Sequence, residues 1–219
     1  MSVAAQAEIL ARGPWAPADV ETAWRADTFE PAASATKEAD RLLDELRGRG
    51  SPSYDGLAAR MSAFEQTERG LRLELQPSRW ALRLLHADAG DSVSALCIVR
   101  DADGSWLAGR RAEWVASWAG RWSLGAGGSV EVDENPTDTL ARELAEEWGV
   151  EPERLQVEAL VRLASGMVVL VGQAWLAPGA SVRPDDEHDE FAWWPPEVER
   201  WPQEADGPLR NIATLVASS

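Results

Sequence analysis

The chain has 219 residues and a formal net charge of −16, with 45% hydrophobic and 26% charged residues. That length and composition suit one large folded domain, or a catalytic domain with an extension, rather than a disordered chain. The charge argues against a nucleic-acid polymer or an acidic membrane as partner, because holding a polyanion takes a basic surface. A small phosphorylated substrate stays compatible if local cations hold its phosphates. The opening MSVAAQAEILARG has no basic segment followed by an apolar one, and no apolar run is long enough to span a bilayer, so a cytoplasmic chain is expected. In chain order, Thr36 to Leu46 carries an amphipathic helix pattern that stops before Gly48 and Gly50. Tyr54 to Phe64 predicts a second, shorter helix, and Leu71, Leu73 and Leu75 alternate with polar residues as in a strand. Residues 1–88 therefore predict a small mixed, mainly helical region with a strand near 71–85. Decoration, a homodimer contact and a cover for an active site all stay open as its role.

From Asp91 the pattern is denser. Ser92 to Val99 predicts a buried strand, Asp101 to Gly104 a hairpin turn, and Trp106 to Gly109 the return strand. Gly125 to Gly128 predicts a glycine-rich loop. Asn135-Pro136-Thr137-Asp138 is a helix start: a capping side chain, proline in the first turn, and an acid three residues after the cap. Leu140, Leu144 and Trp148 recur every four residues, and Gly149 with Pro152 stops the helix. Strands are expected over Leu155 to Leu163, Met167 to Leu176 and Phe191 to Trp194, and a closing helix over Pro208 to Ala217. The single cysteine, Cys97, lies in an apolar run and reads as a core residue; it excludes an intrachain disulfide.

The helix from Pro136 to Trp148 carries Glu143, Glu146 and Glu147, which its periodicity places on one face. Like charges at that spacing repel, and the helix dipole disfavours negative charge at the C-terminal end. A divalent cation among the acids removes both penalties, and hard oxygen ligands suit Mg²⁺ or Mn²⁺. On spacing alone, a solvated acidic face and a metal site both stand.

The surroundings extend the pattern to Gly128-x5-Glu134-x7-Arg142-Glu143-Leu144-x-Glu146-Glu147-x-Gly149-Val150. This resembles the Nudix box, G-x5-E-x7-R-E-U-x-E-E-x-G-U with U aliphatic, at every specified position. The likeness extends over about residues 90–215: the strand, Asp101 to Gly104 turn and strand ending in Arg111; Trp122 before the double glycine; and Glu187 to Trp193, an acid-rich stretch leading into an aromatic strand. Ala126 stands where many members have proline. The resemblance implies an α/β (α+β) fold, a Nudix-type α/β/α sandwich with a mixed sheet over 89–219. It implies a metal-dependent hydrolase acting on the diphosphate linkage of a nucleoside diphosphate derivative or similar small metabolite. Glu143, Glu146 and Glu147 would hold Mg²⁺ or Mn²⁺, with the Gly127 carbonyl as a further ligand. Arg142 would pair with Glu134 and hold loop against helix. Glu187 is the candidate extra ligand or general base; Arg110, Arg111 and Trp118 are candidates for the substrate; His188 reads as a loop residue.

Two other functions fit the same fold. One is a binding or regulatory module without turnover, which usually shows a damaged box. The other is an isomerase of isopentenyl diphosphate type, which needs a reactive cysteine in a setting unlike that of Cys97. Signatures associated with ADP-ribose, dinucleoside polyphosphate and NADH-type members are absent, so the substrate stays open.

Overall fold

The computed structural model describes residues 7–51, 54–87 and 90–217. Residues 1–6, which bear on the expectation of no leader, lie outside them. Among the described residues no helix is long and apolar enough to cross a membrane.

The central element is an eight-stranded sheet. Strands β1 (Glu8–Trp15), β9 (Arg154–Arg162), β10 (Val168–Trp175), β5 (Val93–Arg100), β6 (Trp106–Arg111) and β11 (His188–Trp194) lie in that order. The β10–β5 pair is parallel and its neighbours are antiparallel, so the sheet is mixed. β5 and β6 share the single register pair Arg100 with Trp106, beside a turn that Asp101 organises. The Asp101 carboxylate accepts from the amides of Asp103 at 3.0 Å and Ser105 at 2.7 Å. Beyond that hairpin β7 (Trp122–Leu124) pairs with β6 and β8 (Ala126–Ser129) with β5, filling the fork between them.

Gly125 makes the step from β7 to β8. Its φ is 58°, and a Cβ there would stand 1.8 Å from the Cys97 carbonyl oxygen. Only glycine takes that conformation in that space. The glycine-rich loop expected over 125–128 is thus in large part a strand. The backbone pairing Leu96 with Gly127 and Ala95 with Gly128 holds it extended.

Two helices cover the sheet. α2 (Pro136–Trp148) turns Leu140, Leu144 and Trp148, all fully buried, onto one face against Cys97, Val99, Leu160 and Leu170. α3 (Gly207–Ala217) covers the other with Leu209, Ala213 and Val216 against Ile98, Trp106 and Trp194. This is the α/β/α sandwich expected from the sequence. The α2 boundaries follow the local signals: Asn135 Oδ1 accepts from the Thr137 amide at 3.0 Å, and Gly149 closes the helix in the left-handed conformation.

The N-terminal region differs from expectation. Its one α-helix, α1 (Ala33–Gly48), is joined by a second sheet of β2 (Val20–Trp24), β4 (Leu71–Arg79) and β3 (Leu57–Gln66), in that order. The second helix expected over 54–64 is strand β3, so the region is not mainly helical. Its antiparallel register with β4 runs from Leu57–Arg79 to Gln66–Leu71 and buries Ala59 and Met61. Pairing outweighs the helix propensity of alanine, arginine and methionine here. A 3₁₀ turn, Trp80–Leu84, packs Ala81 and Leu82 on Ala39 and Leu43 of α1.

Candidate active site

The box glutamates stand at the edge of the α2 face that carries Leu140, Leu144 and Trp148, and their exposure is graded. Glu147, between Leu144 and Trp148, has a side chain 5% exposed; Glu143 is at 12% and Glu146 at 59%. Glu147 Oε1 accepts from the Gly127 amide at 3.1 Å, tying helix to glycine strand. Burial pushes the Glu147 carboxyl up to about 8, against the opposing pull of the Gly127 amide and Arg111. Burial also raises Glu143, with Arg142 opposing.

Arg142 makes the contact the sequence predicts, and more. Its Nε donates to Glu134 Oε1 at 2.9 Å and Nη2 to Oε2 at 3.2 Å, a fork on one carboxylate. Nη2 also donates to the Ser129 carbonyl at 3.2 Å. Nη1 reaches Glu143 Oε1 at 2.7 Å and Glu146 Oε2 at 3.0 Å. Burial alone would raise the Glu134 carboxyl; the bonds from Arg142, Thr139 and the Glu131 amide outweigh it and hold the group low.

Arg111 and Glu187 also meet. Arg111 Nη2 lies 2.9 Å from Glu187 Oε2, and Nη1 3.9 Å from Glu147 Oε2. Two sequence candidates lie aside. Arg110 Nε stands 3.5 Å from Glu190 on the β6–β11 edge, and Trp118 is exposed on the β6–β7 connection under the Arg121 guanidinium, 4.5 Å from its ring centre. Trp122 packs on Trp194, with ring centres 5.4 Å apart.

The five acids of the site, Glu134, Glu143, Glu146, Glu147 and Glu187, therefore stand near arginines. Among the described residues, no three His, Cys, Asp or Glu side chains stand together as a metal ion would need. The expected convergence of Glu143, Glu146, Glu147 and Gly127 on one ion is not met by the present side-chain directions. Arg142 holds Glu134, Glu143 and Glu146 and Arg111 holds Glu187, while Glu147 is bonded to the Gly127 amide with Arg111 3.9 Å away.

The residues themselves fit a hard divalent cation. Every side-chain donor is a carboxylate oxygen, and the Arg142 Nη1 already stands between Glu143 and Glu146 in the manner of a cation. A Cβ at Gly128 would meet Glu143 Oε1 at 2.1 Å, so the missing side chain makes the cradle in which that carboxylate lies.

His188 is the residue sequence reasoning missed. It opens β11 rather than lying in a loop, is fully buried, and stacks on Trp148 with ring centres 4.6 Å apart. Its Nδ1 is 3.2 Å from Asp185 Oδ1, which also accepts from the Glu187 amide at 3.0 Å. Its Nε2 lies 3.6 Å from Glu147 Oε2 and has no hydrogen-bond partner among the described residues. Burial holds this imidazole below its usual range. The signal in the sequence was the strand pattern beginning at His188, hidden by the acidic run around it. Cys97 is fully buried in the sheet, and burial pushes its thiol up to about 12, so it offers no nucleophile.

The match of a family model confirms what this geometry suggests. The model of the NUDIX domain matches residues 90–213, more than half of the chain, and the chain belongs to the Nudix family. Among solved structures, it is similar to a MutT Nudix hydrolase from Burkholderia pseudomallei, at 27% identity over 57% of this chain and 97% of that one, with a TM-score of 0.47. A MutT protein from Methanosarcina mazei shows 26% identity over 58% of this chain and 93% of that one, TM-score 0.43. The Nudix domain of Shewanella oneidensis NrtR, solved with ADP ribose, shows 21% identity over 56% of this chain and 86% of that one, TM-score 0.44. Comparison with curated proteins gives no match.

Proposed function

We propose that the protein hydrolyses the diphosphate linkage of a small phosphorylated metabolite built on a nucleotide. The observation that carries this reading is the intact box with its architecture in place. Glu143, Glu146 and Glu147 lie on one helix edge, Glu147 is bonded to the Gly127 amide, and Arg142 forks on Glu134. A damaged box would favour a binding module; every specified position is present here. The isomerase alternative loses its nucleophile with Cys97 buried in the sheet.

Glu143, Glu146, Glu147 and the Gly127 carbonyl would hold Mg²⁺ or Mn²⁺. Such an ion, when bound, supplies charge neutralisation for the diphosphate and a more acidic water. Arg142 keeps the helix and the Ser129 end of the glycine strand in fixed relation through Glu134 and the Ser129 carbonyl. Glu187, on the exposed side of Arg111, would accept the proton of the attacking water. Arg111 is the arginine best set to hold a phosphate, because it lies beside Glu147 and can exchange Glu187 for a stronger anion. Arg110 and Trp118, aside from the box acids, would act only on an outer part of the substrate.

The test is release of phosphate and nucleoside monophosphate from a panel of nucleoside diphosphate compounds with Mg²⁺, for the wild type beside Glu147→Gln. Turnover that collapses in the variant supports the hydrolase and names its substrate class. Binding of a panel compound by a wild type that turns none over sinks the hydrolase in favour of a regulatory module.

A further inference from the structure

The segment between the glycine strand and α2, residues 129–135, is bonded along its length by residues from the first 88 positions. The Trp80 indole Nε1 donates to Ser129 Oγ at 3.0 Å, and the Arg83 guanidinium donates to the same oxygen. The Ala59 amide donates to the Val130 carbonyl at 2.9 Å, and the Trp24 indole to the Glu134 carbonyl at 3.2 Å. Asn135, the cap of α2, returns a bond from its Nδ2 to the Val20 carbonyl at 3.0 Å. From the opposite side Arg142 holds the Ser129 carbonyl. Strands β2 and β3 of the second sheet and the 3₁₀ turn thus each contribute at least one contact to this segment.

Glycine-rich backbone has the greatest conformational freedom to lose, and Gly127 and Gly128 leave the box loop few side chains with which to fix itself. Each bond of this kind is individually modest. Their number and their convergence on one short segment matter more than any single one. Ser129 is the hinge of the arrangement: one residue from Gly128, held by the helix through its carbonyl and by the N-terminal region through its hydroxyl.

We infer that the N-terminal region is a brace for the loop of the Nudix box, and that Trp80 and Arg83 are positioning residues acting through Ser129. Arg83 is itself fixed by Ser94 Oγ at 3.1 Å, so the brace is anchored on β5 as well as on the box. What the brace serves, a loop poised for metal and diphosphate, rests on the function proposed above. The brace itself does not.

Three variants of the full chain test it: Ser129→Ala, which removes the shared acceptor; Ser129→Thr, which keeps it; and Trp80→Phe, which removes one donor and keeps the ring. Each is read by amide exchange of residues 126–135, by the Mn²⁺ midpoint from the free-ion signal, and by kcat and KM. Supporting contacts of this kind are worth about 10-fold to 100-fold. For Ser129→Ala the expected result is about 10-fold faster exchange confined to 126–135, an Mn²⁺ midpoint about 10-fold higher, and kcat lowered by a similar factor at unchanged KM. Ser129→Thr restores all three.

Wild-type exchange and midpoint in Ser129→Ala, or no recovery in Ser129→Thr, overturn the inference. So does a loss of activity matched by a general fall in Tm and exchange faster throughout the chain. Should Ser129→Ala not fold, Trp80→Phe decides by the same signs. A wild type that turns over no compound removes the hydrolase reading and leaves the exchange measurement to judge the brace.

Discussion

Charged pairs serve different ends around α1 and around the Nudix box. Many in the N-terminal region lie on the surface, Arg41 with Glu38 and Glu45 along α1 and Arg72 with Glu21 and Glu65 across the second sheet, all more than 45% exposed, with Arg79–Asp55 a partly buried exception. Such surface pairs contribute little, about 0–1 kcal/mol each. At the box the pairs are partly buried and shared, one guanidinium serving Glu134, Glu143, Glu146 and a carbonyl. Burying carboxylates costs stability, as the raised Glu147 and Glu143 show. The costly buried acids, Glu143 and Glu147, lie on the helix that carries the Nudix box.

The sharpest way to break that comparison is to damage the fold at Gly125, the step from β7 into the glycine strand beside the site. Gly125→Ala puts a side chain 1.8 Å from a backbone carbonyl at positive φ, and should cost more than about 4 kcal/mol, to be read as loss of the folded protein in denaturant titration. Gly128→Ala meets only the far end of the Glu143 side chain, so it should fold and lose activity instead. A Gly125→Ala protein as stable as wild type would refute the fork between β5 and β6 as drawn.

Leu43→Ala empties part of the small core under the 3₁₀ turn and should cost about 2–5 kcal/mol. If the two halves are coupled as the bonds to residues 129–135 indicate, exchange at 126–135 will quicken as well; unchanged exchange there would make the region an independent ornament.

The cost of the buried acid can be seen through pH. Glu147 has a folded-state pKa of about 8 against an ordinary 4.5, so the folded state binds the proton more tightly than the unfolded. The sign follows: the Glu147 contribution to stability in metal-free buffer is greatest below about pH 4.5 and is lost as pH rises to about 8, by a few kcal/mol at most. Glu147→Gln should remove that part of the slope and be the more stable protein at pH 8. A variant less stable than wild type at pH 8 without metal would contradict the buried-charge account.

The smallest effect is expected at Asn135→Ala, about 1 kcal/mol by thermal unfolding for the lost cap, plus the bond to Val20. A cost well above the cap value would measure the contact between halves directly.

Much of the Nudix half could be read from residues close in sequence. Asn135-Pro136, the four-residue recurrence of Leu140, Leu144 and Trp148, and Gly149 defined α2, because each signal acts within one or two turns. The Arg142–Glu134 pair followed from the box resemblance. What failed depended on distant partners. Leu57 to Gln66 contains good helix formers and becomes a strand because β4 pairs with it. Ala126 to Ser129 becomes a strand because β5 does. β1, with Gly13 and Pro14 inside it, carries little strand signal, yet adds to the edge of the main sheet beside β9, where proline is tolerated. His188 reaches Glu147 from some forty residues away, so no local pattern connects them.

Arg142 has a bearing on how the fold would depend on divalent ions. Because its guanidinium already balances Glu143 and Glu146, the acidic edge of α2 carries its own counter-ion. In zinc fingers the metal's binding energy is the folding energy, and a chelator unfolds them. A chain with its counter-ion built in should instead keep its shape in a chelator, its fold owing nothing to a bound cation.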